Sequence, residues 1–371
     1  MVKASVSALA LGALALLWAA GPAMAADDAV AAAKAYVAKV TKPNPPWDGP
    51  TTGPKAQPGK FIVYASADQR NGGALGVGKG VEEAAKLLGW KFTLIDGHAS
   101  IAGRAEALNQ AIALKPDGIV LGTIDANEQK AVIEAAAKQG IVVVGWHATA
   151  TPGPSSSPPI FTNITTDPLE VARAAASYAI AESNGKAGVV IFTDSIYKIA
   201  IAKSDEMARV IKGCSGCQVL AVEDTPLSDV TTRMPPLTTA LLERFGDKWT
   251  HALGINDLYF DFMAPSLASA GIPGDGFPHN VSAGDGSEVA FQRIRTGQYQ
   301  VGTVAEPLRM HGWQVVDEMN RAFAGEKPSG YVAPAHLFVP SNIKFDGGPR
   351  NTYDPDNGYR EAYEKIWGVK G

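Results

Sequence analysis

Short apolar runs alternate with segments of helical period along most of this chain, and that alternation leaves few folds open. The first run, at 61–65, is Phe-Ile-Val-Tyr-Ala. A continuous run of that length is typical of a parallel strand buried on both faces. In the segment 75–88 that follows, Val77, Val81, Ala84 and Leu88 lie on one helical face and Gly89 terminates it. Further strands are expected at 92–95, 118–122 and 141–144, with helices at 102–114 and 125–139 between them. A Pro/Ser-rich break at 149–159 interrupts the pattern. It then resumes with strands at 188–192, 218–222, 252–255 and 281–283. Helices are expected at 168–182, 199–211, 236–245, 258–270, 288–295 and 307–323, the first opened by Asp167-Pro168. Strand–helix alternation on this scale predicts an α/β fold of two similar lobes, each a parallel sheet flanked by helices.

Upstream of this pattern, residues 1–25 read as an export signal. Lys3 supplies the positive end, 8–20 is uncharged and apolar, and Ala23-Met24-Ala25 is a small-x-small cleavage site. The run is shorter than the ~20 residues a spanning helix needs. The expectation is a soluble periplasmic protein, cleaved after Ala25. Residues 26–59 then form a leader helix and a linker with Pro43, Pro45, Pro46, Pro50, Pro54 and Pro58.

Composition narrows the function. Charged residues are 19% of the 371 and the formal net charge is -4, which disfavours a nucleic-acid surface. The only two cysteines, Cys214 and Cys217, follow a helix. In an oxidising compartment they are expected to form a structural disulfide. A redox-active pair would stand at a helix N-terminus instead. Gly73, Gly76, Gly78 and Gly80 match neither a dinucleotide nor a P-loop pattern. The expectation for them is close helix-to-sheet packing. No nucleophile elbow and no H-E-x-x-H occur, and the six histidines are scattered singly. No catalytic residue, metal ligand or cofactor is therefore assigned.

Polar and aromatic residues instead gather after the expected strands, where open α/β sheets bind ligands. They are Asp68, Gln69, Arg70 and Asn71 after the first strand, and Trp146 and His147 after the fourth. In the second half they are Asp194, Tyr197, Lys203, Asn256, Asp257, Tyr259, Asp285 and Glu306. Carboxylates and amides beside aromatic rings suit a hydroxylated ligand, because carboxylates accept from vicinal hydroxyls and rings cover C–H faces. Trp146 has two readings, stacking on a ligand or packing in the core, since neighbouring strand residues point to opposite faces.

The export signal, two βα lobes, Ala65-Ser66, Asn256-Asp257 and Gly284-Asp285-Gly286, in that order, resemble the type I periplasmic sugar-binding proteins over about 60–340. That resemblance implies a three-segment hinge, with lobe one at 60–160 plus 307–331 and lobe two at 161–306 plus 332–371. It implies that Asn256 and Asp285 bind sugar hydroxyls, and that 68–71 is a ligand-facing loop. Lys203 stands where ribose binders place an Arg, and Glu306 where they have a hinge Gln. The chain departs from ribose binders in carrying His147-Ala148 for their Asp-Arg, and Gly72-Gly73 near their paired Phe.

The function so implied is a monomeric solute-binding protein that delivers a small molecule, a sugar or polyol, to an inner-membrane ABC permease, without chemistry. Alternatives are the same fold holding a nucleoside, a furanose signal or an aromatic compound, and a secreted α/β enzyme.

Overall fold

The computed structural model describes residues 26–346 and 348–370, so the export signal and its cleavage after Ala25 lie outside the described residues. Two six-stranded sheets carry the fold. The first has the order β2-β1-β3-β4-β6-β5, and the second β12-β11-β10-β9-β7-β8. In the first, β1 (Phe61–Ser66), β2 (Lys91–Asp96), β3 (Gly118–Gly122), β4 (Val142–Trp146) and β6 (Pro159–Ile164) are parallel. Strand β5 (Gly153–Ser156) is antiparallel at the edge. The second repeats this scheme with β7 (Gly188–Thr193), β8 (Gln218–Asp224), β9 (His251–Gly254), β10 (His279–Ser282) and β11 (Gly302–Ala305), closed by antiparallel β12 (His336–Phe338). Each lobe thus has the same doubly wound topology.

The eight expected strands are present. Strands β5, β6, β11 and β12 were not expected. The first two lie in or just after the Pro/Ser break, β11 (Gly-Thr-Val-Ala) has no continuous apolar run, and β12 has only three residues. The pairing of β6 with β4 keeps Phe161–Ile164 in the first lobe, so the chain crosses at Thr165–Thr166 rather than after Ile160.

The helices, which include α3 (Ile101–Ala113), α4 (Lys130–Lys138), α7 (Val230–Phe245), α8 (Leu258–Ser269) and α9 (Glu288–Thr296), follow from their local chemistry. Helix α2 (Gly72–Leu87) is capped by Asn71, whose Oδ1 accepts the Gly73 and Ala74 N–H groups. Helix α5 (Pro168–Glu182) is capped by Asp167 ahead of Pro168. The glycines of α2 serve packing on two sides. A Cβ on Gly80 would lie 3.0 Å from the Arg309 Cα of α10 (Leu308–Phe323), while one on Gly78 would meet the Tyr64 ring of β1 at 3.3 Å. Half of this stripe therefore faces a helix, where only a sheet was expected.

Both ends of the described chain are woven into the lobes. Helix α1 (Ala26–Val40) buries Ala29, Ala33 and Val40 in the core of the second lobe. The Pro-rich segment then passes to the first lobe and is held on α10. Asn320 Nδ2 donates to Pro54 O, Arg321 donates to Thr52 O, and Trp47 sits among Tyr331, Tyr359 and Tyr363. After β12 the chain returns to the first lobe as α11 (Tyr359–Trp367). Its Tyr359, Tyr363, Ile366 and Trp367 share a core with Trp313 and Val316. The expected assignment of 332–371 to lobe two is corrected for α11, because its aromatic face has its partners on α10. Beyond the three hinge segments, two more crossings therefore join the lobes. The Cys214–Cys217 disulfide lies at the end of α6 (Lys198–Lys212), just before β8.

Trp367 stacks at 5.4 Å on both Trp313 and Tyr363 and donates to Asp317 Oδ1 at 2.8 Å. Trp367→Ala is expected to cost ~3–5 kcal/mol in urea unfolding, the usual cost of deleting a core aromatic. A loss below about 1 kcal/mol would mean that α11 is a dispensable appendage.

Candidate functional site

One cavity of about 640 Å³, counting the open space at its mouth, lies between the lobes. Every residue lining it follows the carboxyl end of a strand. Ala67, Asp68 and Asn71 follow β1, Ala99 follows β2, Thr123 follows β3 and His147 follows β4. From the other lobe, Tyr197, Ile199, Ala200 and Lys203 follow β7, and Leu227 and Ser228 follow β8. Ile255, Asn256 and Leu258 follow β9, and Asp285 follows β10. This is the crevice in which α/β sheets of this winding place ligands.

Lys203 is the most telling of these residues. It projects from α6, is 3% exposed, and has no hydrogen bond or ion pair among the described residues. The carboxylates of Asp285 and Glu306 interact with it through charge alone, so its ammonium N–H groups are left without an acceptor in the cavity. Beside it, Asp285 takes the Asn256 Nδ2 donor at 2.8 Å on Oδ2. Burial pushes the Asp285 carboxyl up, and the charges of His147 and Lys203 pull it back. The N-terminus of α2 closes over this carboxylate from the first lobe. A Cβ on Gly73 would come within 2.8 Å of Asp285 Cβ and Cγ, so the close approach needs glycine there.

Behind His147 is a buried polar cluster. His147 has φ 53°, a left-handed backbone that turns its ring away from the strand's alternation. Its ring lies flat on the Trp146 indole at 3.9 Å. Its Nε2 donates to Glu306 Oε1 at 2.7 Å, leaving Nδ1 3.9 Å from Asp285 Oδ1. Glu306 Oε2 also accepts the Thr166 N–H at 3.2 Å. Burial opposes ionisation of Glu306, but His147 and then Lys203 outweigh it and hold the carboxyl down at about 2. The Trp146 N–H donates to His311 Nδ1 at 3.1 Å. That donor makes His311 neutral, and burial holds its pKa down at about 4.

Seven of the twelve expected ligand residues line the cavity: Asp68, Asn71, His147, Tyr197, Lys203, Asn256 and Asp285. The other five have different surroundings. Gln69 bonds Ser66 Oγ, and Arg70, largely exposed, pairs with Asp68. The Trp146 ring is fully buried in the first lobe's core, which decides between its two readings in favour of packing. Asp257 accepts the Gly286 and Ser287 N–H groups and Gln300 Nε2, and so shapes the loop carrying Asp285. Glu306 stands behind His147 and does not line the cavity. Of the further candidates, Asp194 accepts the Ile196 and Leu227 N–H groups, and Tyr259 is core.

Two groups were missed. Ile199, Leu227, Ile255 and Leu258 form an apolar wall, and nothing in a strand–helix pattern distinguishes them from core residues. Arg104, 1% exposed, is held by Glu128 at 2.7 Å and donates across the cleft to Tyr197 Oη at 3.2 Å. The Lys198 N–H likewise reaches Asp125 Oδ2 at 3.4 Å. These contacts between lobes mark a closed arrangement, and no spacing in the sequence announces them.

The family model described as periplasmic binding protein domain matches residues 62–327. Among solved structures, a sugar ABC transporter protein from Yersinia enterocolitica aligns with TM-score 0.69 at 17% identity, covering 84% of this chain and 95% of that one. A glucose-galactose binding protein from Geobacillus stearothermophilus aligns with TM-score 0.68 at 19% identity, covering 77% and 99%. An ABC transporter solute binding protein from Agrobacterium vitis with bound allitol aligns with TM-score 0.64 at 20% identity, covering 77% and 97%. At these identities the likeness is one of fold. No curated protein matches the chain.

The neutral state of His311 predicts a pH dependence. Its folded pKa lies below the unfolded value, so the unfolded chain binds the proton first as pH falls. Stability is expected to be full above about pH 6.5 and to decline toward pH 4. Buried His336, also held down at about 4, acts in the same window. His311→Gln keeps an acceptor for Trp146 and should flatten the decline in urea unfolding across that window. An unchanged slope would show that His311 is already charged in the folded state.

Proposed function

The chain belongs to the periplasmic binding protein family, and from that premise we propose that it is the solute-binding protein of an ABC importer, closing two lobes over a sugar or polyol. The observation that carries this reading is the buried Lys203, which makes no hydrogen bond among the described residues and faces the same cavity as Asp285, Asn256 and His147. Lys203 and Asn256 offer donors, Asp68 and Asp285 offer acceptors, and His147 offers its free Nδ1. A ligand hydroxyl both donates and accepts, so vicinal hydroxyls match such a mixed set. The allitol bound in the Agrobacterium vitis protein, the glucose-galactose binding named for the Geobacillus stearothermophilus protein and the sugar transporter named for Yersinia enterocolitica support the ligand class.

Binding on this reading is a shift toward the closed state. Arg104–Tyr197 and Asp125–Lys198 span the cleft, so they form only when the lobes meet. A ligand touching both lobes favours that state by its differential affinity. The proposal includes export to the periplasm with cleavage after Ala25, a monomer, an inner-membrane permease as partner, and no chemical step. One observation favours a second reading. The wall of Ile199, Leu227, Ile255 and Leu258 also suits a flat ligand with an apolar face, such as a nucleoside or an aromatic compound.

Thermal melting across sugars, polyols, nucleosides and small aromatics separates the readings, because ligand at about 1,000 times its Kd stabilises by about 4 kcal/mol. A sugar or polyol is expected to raise the melting temperature and to be recovered unchanged. Stabilisation by nucleosides or aromatics alone would favour the second reading, and turnover would establish an enzyme. For the hit, calorimetry on Lys203→Met and Asp285→Ala should show at least about tenfold weaker binding, since hydrogen bonds to charged groups are worth ~1.5–3 kcal/mol. Unchanged affinity in both variants would remove these residues from the site.

A further inference from the structure

We propose that Glu182, His251 and His279 form a binding site for a divalent transition-metal ion of the zinc(II) kind, at the end of the second lobe opposite the cleft. The two histidines are the first residues of β9 and β10, paired in register on adjacent parallel strands. Residues so paired share a face of the sheet at about the 4.8 Å strand spacing. Glu182 ends α5, which packs on that face, and brings one carboxylate oxygen to both rings. Its Oε2 is 2.9 Å from His251 Nε2 and 2.9 Å from His279 Nδ1. Tyr178 Oη holds the other oxygen, Oε1, at 3.4 Å. All three ligand atoms lie within 4.8 Å of one another.

The outer nitrogens are engaged as a metal site requires. His279 Nε2 faces the Asp275 carbonyl at 3.2 Å, an acceptor that keeps the proton on that nitrogen. Its Nδ1 then points a lone pair at a carboxylate oxygen unless a positive particle lies between them. His251 Nδ1 lies 2.8 Å from Thr250 Oγ1, which can take its proton and leave Nε2 bare. Ligand histidines commonly hold their outer N–H in this manner. One metal ion at this point would bridge both rings and the carboxylate together. Zinc bonds of ~2.0–2.1 Å place ligand atoms about 3.3 Å apart, a few tenths of an ångström wider than the two carboxylate–imidazole distances here. Two imidazoles and a carboxylate suit zinc, cobalt or nickel rather than calcium or magnesium. Glu182 is 28% and His279 18% exposed, so an ion has a path in and a fourth position open to water.

The site is separate from the ligand cavity. Ile255 and Asn256 lie past the other end of β9, about 13 Å of strand away. A metal ion here would clamp α5 to the starts of β9 and β10 without touching the cleft.

The test uses the chain from residue 26 to 371, without a histidine tag and stripped with a chelator. Titration with zinc(II) against a chromophoric competitor, and with cobalt(II) read by its ligand-field absorption, should show one ion per chain and a raised melting temperature. His279→Gln should weaken uptake at least tenfold and abolish the rise in melting temperature. If that variant does not fold by circular dichroism, the more exposed Glu182→Gln carries the same expectation. His147→Gln, in the interlobe cluster, should take up zinc as the parent does. The proposal is overturned by no saturable uptake in the parent chain, by unchanged uptake in the folded variant, or by loss of uptake in His147→Gln instead.

Discussion

Glu306 is the buried charge on which the arrangement of the two lobes rests. It stands where the chain passes back from the second lobe to the first, and its side chain is fully buried. One oxygen takes the His147 ring from the first lobe, and the other takes the Thr166 N–H of the preceding crossing. A carboxylate sealed away from water in this way is tolerable only while its donors stay in place. The two central crossings are therefore locked to each other and to the floor of the cavity. His147 turns the same contact toward the cavity, since its remaining nitrogen faces Asp285. Two of the residues that differ from the ribose-binder pattern, His147 and Glu306, are thus partners in one hydrogen bond. A glutamine at the hinge would remove the charge that holds the histidine.

The outer crossings add a second tie. The Pro-rich segment before β1 and the segment between β12 and α11 run side by side from the second lobe to the first. Asn44 bonds Asp346 and Tyr353, and the Trp47 backbone N–H donates to Asn357 O. Proline fixes backbone φ, so this strap has fewer conformations to lose than an ordinary loop. Closure must bend it along with the three central segments. The terminal helices anchor its ends on opposite lobes, α1 against α5 and α11 against α10.

Histidines show how tertiary structure creates chemistry that a linear reading misses. Along the chain they stand far apart, with no metal-binding spacing. Parallel pairing puts His251 beside His279, and the hinge puts His147 near Glu306 and His311. Each group shares a carboxylate from a different element. Strand register in one case and chain crossing in the other did what spacing on a single helix would do in a sequence motif.

The sequence by itself determined the lobes, the order of the eight expected strands along the chain and the end of the sheets at which a site would form. Those follow from hydrophobic period, proline and glycine placement and N-caps, all of which act over a few residues. It also pointed to Lys203, Asn256 and Asp285, because each lies shortly after a strand. Only the tertiary structure decided which of the neighbouring polar groups reach the cavity. Asp257 and Asn256 are adjacent, yet one orders a loop through Gly286 and Gln300 while the other bonds Asp285. Trp146 went to the core because α10 offered its indole a hydrogen-bond acceptor, and positive φ let His147 lie over it. The places of α1 and α11 were likewise hidden, since an amphipathic helix specifies that it must bury a face but not against which lobe. Burial against distant partners is a sum over the whole chain, and no local stretch contains it.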